Sequence, residues 1–269
     1  MTVAARALAL AGAVAVALLG LPGTAHAAPE DGTRIGYDVS HPQCGEPLPR
    51  RADVAIVGVN GGIATVANPC LAEQLAWAAD ATGRAAVELY VNTANPGEVI
   101  DRVTTWPDTG STPYGECDGT NSAACSWQYG RIRAAVDVHV FFLTAAWAAG
   151  VDPDPAAHRW WLDVETMNTW QYGSPGAQAR NRAALEGMAT YLREVGAEVG
   201  IYSTGRQWAQ IAGRVPPATP LHGLDSWLAG ARDLDGARAT CSGDPLVPGG
   251  RVVLAQYVDD DLDHDLVCG

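Results

Sequence analysis

The chain has 269 residues, of which 48% are hydrophobic, and it carries a formal net charge of −13. This length suits a single domain of the barrel type and is enough to bury a large core. Because acidic residues outnumber basic ones and no basic stripe occurs, the composition argues against binding to nucleic acid or to an anionic lipid surface.

The first 27 residues have the pattern of a secretory signal peptide. Arg6 is the only charged residue among the first 29, and an apolar run extends over residues 7–21. The Ala-His-Ala of residues 25–27 has the small-x-small form that signal peptidase recognises. An uncleaved membrane anchor is the alternative, but the run is shorter than the about 20 residues that span a bilayer. We therefore predict cleavage after residue 27, a secreted protein with one domain over residues 28–269, and no later membrane-spanning segment.

Short apolar segments then alternate with longer helical ones. Near-continuous apolar runs, such as residues 54–60, are typical of parallel strands that are buried on both faces. Two helices have clear end signals, with proline near the start and Gly83 or Gly196 just past the end. The predicted strands are 34–39, 54–60, 86–92, 160–165, 199–203, 226–229 and 252–257, and the predicted helices are 69–82, 129–149, 175–195 and 205–211.

This order of elements predicts an α/β fold of the TIM-like (β/α) barrel class. Repeated β–α units with about seven strands are typical of that barrel, and we expect an irregular one with fewer than eight helices. A doubly wound sheet is the alternative, although its dinucleotide-binding form would need a GxGxxG sequence after a strand. Residues 104–126 are rich in Gly, Pro, Ser, Thr and Asp and predict a long insertion loop, which is uncommon unless it is functional or tied down.

The six cysteines all lie after the predicted cleavage site. An even number in an exported chain indicates three disulfides, although six cysteines allow 15 pairings. A zinc site is disfavoured because no CxxC pair occurs, and an oxidising compartment disfavours Cys44 as a nucleophile beside His41. Short loops favour the pairs Cys44–Cys70, Cys117–Cys125 and Cys241–Cys268.

Acidic residues gather where the predicted strands end. Asp38 ends the first strand, and Asp163 and Glu165 end the fourth. In a barrel the carboxyl ends of the strands meet at one mouth, which is the usual active-site face. A run of aspartates follows the last predicted strand: Asp259, Asp260, Asp261, Asp263 and Asp265.

Asp163 and Glu165 are two residues apart, so their side chains point to the same face of a strand. Two carboxylates that close cannot both ionise freely, and we expect Asp163 to raise the pKa of Glu165 and make it a general acid. Such a pair suits glycoside hydrolysis, which needs a proton donor and a negative group near the oxocarbenium-like centre. The alternative is that Asp163 caps a turn and Glu165 is a solvated loop acid.

Five short segments, in order along the chain, resemble the family 25 glycoside hydrolases, the lysozyme-type muramidases. The most specific is the DxE strand, and the opening segment contains an Asp-x-Ser with a nearby Gln. The third strand departs from the family because it lacks the His-Phe pattern that is usual there. The segments are residues 36–43 (GYDVSHPQ), 161–165 (WLDVE), 199–203 (VGIYS) with Trp208, 227–229 (WLA) and 255–257 (AQY) with the aspartates that follow.

The resemblance implies a barrel with an acidic groove that needs neither cofactor nor metal. It implies Glu165 as the general acid, with Asp163, Asp38 and either Asp263 or Asp265 around the anomeric carbon; spacing does not decide between the last two. It implies a cell-wall glycan as partner, namely bacterial peptidoglycan cut between N-acetylmuramic acid and N-acetylglucosamine. We expect a monomer.

The nine tryptophans are expected to divide between the core and the substrate groove. Sugar rings stack on aromatic faces, so the loop residues Trp106, Trp127 and Trp170, with Tyr114 and Tyr172, are candidate subsite walls. Core packing is expected for Trp77, Trp147 and Trp208. Further substrate contacts are expected from Tyr90, Asn92, Tyr202 and Gln256.

Two other functions compete with hydrolysis by carboxylates. A glycan-binding protein could keep the barrel and lose turnover, but the acidic residues at both ends of the chain argue against that loss. A metal-dependent hydrolase could bind Ca²⁺ through residues 259–265, including His264. That segment lacks the Gly and closing Glu of an EF-hand loop, and the chain has no HExxH sequence.

Overall fold

The computed structural model describes residues 32–85, 87–259 and 262–269. The predicted signal peptide lies outside the described residues, as do Ala86, Asp260 and Asp261. Residues Thr33–Gly269 form one compact unit.

Eight strands in the described part of the chain close into a barrel, in the order β1-β10-β9-β8-β7-β6-β3-β2. Seven of them are parallel to their neighbours, and β10 is antiparallel to both β9 and β1. The predicted irregular (β/α) barrel is confirmed, and the doubly wound sheet is wrong. The barrel strands are β1 (Ile35–Val39), β2 (Ala55–Gly58), β3 (Glu88–Asn92), β6 (Arg159–Asp163), β7 (Glu198–Ser203), β8 (Asp225–Ala231), β9 (Val252–Asp259) and β10 (Leu262–Val267).

Six α-helices surround the barrel among the described residues. The N-cap of α4 follows the expected pattern, because the Ser174 side chain accepts from the backbone N–H of Ala177 and Pro175 occupies the first turn. In α1 the buried positions recur at helical spacing and include Leu71, Leu75 and Ala78. The helices are α1 (Leu71–Ala81), α2 (Ala123–Val136), α3 (Leu143–Ala149), α4 (Pro175–Glu194), α5 (Gly205–Ile211) and α6 (Leu234–Cys241).

Strand β10 and helix α6 were not predicted from the sequence. The expectation that Asp263 and Asp265 lie in a segment after the last strand is wrong, since both belong to β10. The sequence of this strand lacks the usual strand pattern, because its inward positions carry carboxyl groups where apolar side chains are normally found.

The insertion at residues 104–126 contains a small hairpin, β4 (Ser111–Thr112) and β5 (Gly115–Glu116), and ends in the first turn of α2. The Cys117–Cys125 disulfide ties it to that helix. The other two predicted disulfides, Cys44–Cys70 and Cys241–Cys268, are also present, so the predicted pairing is confirmed.

A π-helical turn, Asp137–Phe142, joins α2 and α3 into one long helix over residues 123–149. By length and composition this helix could cross a membrane, so the expectation that no later segment has that property is wrong. In the structure α2 packs against α4, with Gly130 and Gly187 at the crossing, where a Cβ would overlap the facing backbone.

Trp147 lies on this helix and is 70% exposed, so the prediction that it packs in the core is wrong. Phe142 and Ala146, one helical turn apart, take the inward face, and the next residue is rotated by about 100° away from them. Trp208 is buried and Trp77 packs against the core, as predicted.

Large side chains fill the barrel interior up to the carboxyl ends of the strands. The rings of Trp161 and Trp227 meet edge to face at 5.7 Å, and Tyr202 lies 4.3 Å from Trp227. Small residues on neighbouring strands make room for these rings, since a Cβ at Gly200 would overlap the indole of Trp161. The interior is therefore a packed core, and polar side chains begin only at the carboxyl ends of the strands.

Candidate active site

Five carboxyl groups converge at the mouth formed by the carboxyl ends of the parallel strands. Asp38 on β1 lies directly opposite Asp263 on β10. Asp38 also interacts electrostatically with Glu165, and Asp163 interacts with both Asp38 and Glu165. Asp265 lies one inward position below Asp263 on the same strand and interacts with Asp38. The structure thus brings together every acid that the sequence proposed for catalysis.

Neighbouring strands hold the backbone that carries Asp163 and Glu165. Thr93, just after β3, donates from its hydroxyl to the carbonyl of Asp163 at 2.6 Å. Ser203, at the end of β7, donates to the carbonyl of Val164 at 2.7 Å. Strand β6 ends at Asp163, so Glu165 stands two residues beyond it on a turn whose position both neighbours fix.

A hydrogen-bonded chain of three side chains orients Asp38. Tyr202 donates from its hydroxyl to Oε1 of Gln256 at 2.8 Å, and Gln256 donates from Nε2 to Oδ2 of Asp38 at 2.7 Å. An amide that accepts on one side and donates on the other has a fixed orientation. Tyr202 and Gln256, expected to contact substrate, therefore lie in the site and support Asp38.

Asp263 and Asp265 differ in their access to the mouth. Asp265 is 0% exposed and accepts a 2.7 Å hydrogen bond from the indole N–H of Trp227. It also shares a hydrogen bond with Asp38. Asp263 is only half-buried. Of the two, Asp263 is placed to face a substrate, and Asp265 is placed beneath Asp38.

Burial is the largest cause of raised pKa values throughout this cluster. It raises the pKa of Asp38 to about 8, with a further increase from the charge of Asp263 and a decrease from the Gln256 hydrogen bond. It holds the pKa values of Asp163 and Asp265 well above their usual range. The barrel mouth therefore keeps several carboxyl groups protonated near neutral pH.

Glu165 has a raised pKa, and burial, which the sequence did not suggest, is its largest cause. Burial raises it most, the charge of Asp263 raises it further, and a hydrogen bond with Gln207 lowers it. The charges of Asp163 and Glu165 also interact, and this interaction raises the pKa of Asp163.

Asp163 is 4% exposed, and its Oδ1 atom has no hydrogen-bond partner within the protein. A buried acceptor without a partner carries a free-energy cost that a donor on a bound molecule would relieve. Asp163 is therefore suited to accept a hydrogen bond from an N–H or O–H group of a ligand.

Tyr90 and Asn92, both on β3, take different positions around the mouth. The Tyr90 hydroxyl hydrogen-bonds with Ser40 beside Asp38. Asn92 is held by Asn60, whose Oδ1 accepts from the Asn92 side chain at 2.9 Å and from its backbone N–H at 2.7 Å. Asn92 also pairs in register with Asp163.

Trp127 and Trp170 were expected to be loop side chains that form subsite walls. Trp127 instead belongs to α2 and is 8% exposed, with Arg131 over its ring. Trp170 is 4% exposed and donates from its indole N–H to the carbonyl of Glu165 at 2.9 Å. Both rings are packed inside the fold, because the turn after β6 and the α2–α4 contact cover them. Trp170 acts on the site by supporting the Glu165 turn.

Trp106, Tyr114 and Tyr172 retain more exposure. Trp106 is half-buried and stacks on Tyr129 at 5.5 Å. Tyr114 is exposed and donates to Glu186 on α4, which ties the small hairpin to that helix. Tyr172 is exposed near the start of α4.

Sequence reasoning missed the residues that support the acids. Gln207 on α5 bonds to Glu165, Trp227 on β8 to Asp265, and Ser40 to Tyr90. Trp227 and Ser40 lie in segments that resemble the family, but only their positions in the barrel show which side chain each one contacts. Gln207 had no sequence signal, because a helix places it there from a different part of the chain.

His264 is separated from the two carboxyl groups beside it in sequence. Side chains alternate across a strand, so His264 points to the opposite side of the sheet from Asp263 and Asp265. There its ring packs 4.8 Å from Tyr37 and 5.1 Å from Tyr257. In the part of the chain that the structure describes, no three His, Cys, Asp or Glu side chains form a metal-binding group.

The fold and this cluster define a (β/α) barrel with a group of largely buried carboxyl groups at its carboxyl mouth. A 53-residue segment of the chain is 40% identical to the protein named "Probable GH family 25 lysozyme 4" from Dictyostelium discoideum. This segment is 20% of the chain and spans only 22% of that relative. No family model matches the chain, and no solved structure matches it.

Proposed function

We propose that this protein is a secreted glycoside hydrolase that cleaves peptidoglycan-type N-acetylated glycans by carboxylate acid/base catalysis. One observation carries the proposal. Glu165 is a half-exposed acid with a raised pKa, set among Asp163, Asp38 and Asp263 at the mouth of a (β/α) barrel. Glycosidases need such an acid together with a second carboxyl group at the scissile bond.

Glu165 is the general acid in this proposal. It must be protonated at the working pH and must reach the glycosidic oxygen. Burial and the charge of Asp263 favour its protonated form, and its partial exposure leaves the carboxyl open to a bound chain. The proton passes from the Glu165 carboxyl to the leaving oxygen as the bond to the anomeric carbon breaks. Water then supplies the hydroxyl group that replaces the leaving group at that carbon and returns a proton to the Glu165 carboxylate.

The aspartates stabilise the sugar in the transition state. Asp163 offers the unpartnered Oδ1 atom to an N–H or O–H group on the sugar, such as an acetamido N–H. Asp263 lies half-buried at the mouth and provides negative charge toward the developing positive centre. Asp38 is oriented by Gln256 and completes the ring of acceptors.

The substrate class rests on the resemblance and on the setting. The similar segment belongs to a relative named as a lysozyme, and the family resemblance implies peptidoglycan as substrate. Three disulfides fit an oxidising environment outside the cytoplasm, where cell walls are found.

The test is release of reducing ends from purified peptidoglycan by the wild type and by Glu165→Gln. The substitution keeps the shape and removes the proton, so activity should fall by about 10²–10⁴-fold while thermal unfolding is unchanged. Glu46→Gln, an exposed substitution of the same kind, is the matched control and should retain full activity. A wild type that pellets with cell walls and releases no reducing ends would instead be a glycan-binding protein.

A further inference from the structure

Asp265 is the one acid of the carboxyl cluster to which the proposed mechanism gives no task. Its side chain is 0% exposed, and it hydrogen-bonds with the carboxyl group of Asp38. The residue directly opposite Asp265 on β1 is Gly36, so no β1 side chain separates the two carboxyl groups. A side chain without any exposure cannot touch a substrate. Any effect of Asp265 on the reaction must therefore pass through Asp38.

The hydrogen bond between Asp38 and Asp265 requires a proton. An ionised carboxylate has only acceptor atoms, so two ionised carboxylates cannot hydrogen-bond and instead repel each other. Asp38 is only 6% exposed, so water does little to screen this repulsion. At least one member of the pair therefore keeps its proton in the folded protein.

The other partners of the two side chains place this proton on Asp265. Asp38 accepts a hydrogen bond from Gln256, which favours its ionised form. In Asp265, Oδ1 accepts from the indole N–H of Trp227, whereas Oδ2 accepts no hydrogen bond from any described residue. The hydrogen bond between the two carboxyl groups lowers the pKa of Asp38 and raises that of Asp265, as expected when Asp265 is the donor.

The surroundings of Asp265 also favour its neutral form. Burial is the largest cause of its raised pKa, and the charges of Asp38 on β1 and Asp263 on its own strand raise that pKa further. Tyr257 on β9 is a third titratable group that interacts with Asp265. None of the described groups that shift the pKa of Asp265 is a cation. Nothing in this part of the barrel therefore stabilises a negative charge on Asp265 apart from the Trp227 hydrogen bond.

We propose that Asp265 is a positioning residue that keeps its proton on Oδ2 and donates it in a hydrogen bond to Asp38. Asp38 is then held between two donors, Gln256 and Asp265, and its carboxyl group is presented to the sugar as an acceptor. The proton of Asp265 stays in place throughout the reaction. This role of Asp38 toward a sugar rests on the proposed function. Of the two aspartates on β10, Asp263 supplies charge at the mouth and Asp265 supplies a hydrogen bond beneath it.

The first test measures urea unfolding of the wild type and of Asp265→Asn over a range of pH. An aspartate in an unfolded chain has a pKa of about 3.9, so above that pH the wild type releases the Asp265 proton when it unfolds. This release favours the unfolded state increasingly as the pH rises. The asparagine amide accepts from Trp227 and donates to Asp38 as the protonated acid does, but it has no proton to release.

The urea midpoint of Asp265→Asn should therefore rise relative to that of the wild type as the pH increases from about 4 to about 7. Asp244→Asn, an exposed substitution of the same kind, is the matched control and should follow the wild type at every pH. If the difference between Asp265→Asn and the wild type does not change over this pH range, Asp265 is ionised in the folded protein and the proposal is overturned.

The second test compares Asp265→Asn with Asp265→Leu, which is neutral but has no donor. Turnover of purified peptidoglycan is measured, and carbon-13 NMR follows the titration of the Asp38 carboxyl group. Asp265→Leu should lower kcat about tenfold more than Asp265→Asn does, as expected for the loss of a hydrogen bond to a charged group. It should also raise the pKa of Asp38, because the Asp265 hydrogen bond lowers that pKa. Equality of either quantity in the two variants would overturn the positioning role.

Failure of the proposed function gives a different result. In that case neither the wild type nor any variant would release reducing ends from peptidoglycan. The unfolding and NMR titrations need no substrate, so they would still decide whether Asp265 is the protonated donor to Asp38. The unfolding test also does not need the leucine variant, and it remains decisive if that variant does not fold.

Discussion

Gln256 on β9 donates a 2.7 Å hydrogen bond to Asp38 on β1, although the two residues are 218 positions apart. The same amide accepts from Tyr202, so it connects β7 through β9 to β1 across the barrel mouth. The orientation of Asp38 therefore depends on strands from the middle and the end of the chain.

Gln256→Leu should destabilise the protein by about 1–3 kcal/mol, because it leaves Asp38 and the Tyr202 hydroxyl buried without a partner. Urea unfolding measures this free energy. Activity should fall as well, since the Gln256 hydrogen bond lowers the pKa of Asp38 and its loss raises that pKa further above about 8. Gln178→Leu, which breaks an exposed side-chain contact with α5, is the control. An equal cost for the two substitutions would contradict the role of Gln256.

The alkaline limb of the pH–rate profile should respond to the charge of Asp263. This limb of kcat/KM reports deprotonation of the general acid. The negative charge of Asp263 raises the pKa of Glu165, so Asp263→Asn should lower that pKa and move the limb to lower pH. Asp163→Asn should reduce the rate, because it replaces a buried carboxyl group whose charge interacts with that of Glu165. An unchanged alkaline limb in Asp263→Asn would contradict this effect of Asp263 on Glu165.

Gly200→Ala should disturb the packing of the aromatic side chains that lie beneath the carboxyl cluster. The added methyl group would overlap the Trp161 indole, which is fully buried and held by a 2.6 Å hydrogen bond to Glu88. Overpacking of this kind costs about 1–3 kcal/mol, and it should also reduce activity because Trp161 lies beneath Asp163 on β6. Gly205→Ala, at the start of α5 with nothing within 4 Å, should be neutral or stabilising. Thermal unfolding of the two variants side by side would test this, and a Gly200→Ala protein as stable as Gly205→Ala would contradict the packing argument.

The three disulfides should contribute unequally to stability. Removal of Cys241–Cys268, as a double serine variant, frees the end of β10 and opens a sequence separation of 27 residues. Removal of Cys117–Cys125 opens a separation of only 8 residues within the insertion. Loop-closure entropy predicts a loss of about 3 kcal/mol for the first and a smaller loss for the second. The first should also lower activity, since β10 carries Asp263 and Asp265. Thiol counting on the oxidised wild type should find no free cysteine.

Much of the fold was predictable because local sequence patterns indicate where its strands, helices and disulfides lie. Apolar runs, proline and glycine at helix ends, and short cysteine loops gave the seven parallel strands, four of the helical regions and all three disulfide pairs. The closing strand β10 escaped prediction because its inward residues are carboxyl groups. A strand that lines an active site loses the alternation of apolar and polar residues by which strands are identified.

The sequence by itself determined that Asp38, Asp163 and Glu165 gather at the barrel mouth, because in a parallel barrel the residues at the carboxyl ends of strands must meet there. Asp263 and Asp265 reach the mouth from the antiparallel strand β10, which no sequence pattern indicated. Only the tertiary structure decided what each acid can do. Burial raises the pKa of Asp38 to about 8, Trp227 and Gln256 reach Asp265 and Asp38 from distant strands, and the charge of Asp263 raises the pKa of Glu165. Desolvation and hydrogen bonding depend on which atoms surround a carboxyl group, and those atoms come from parts of the chain that no local pattern connects.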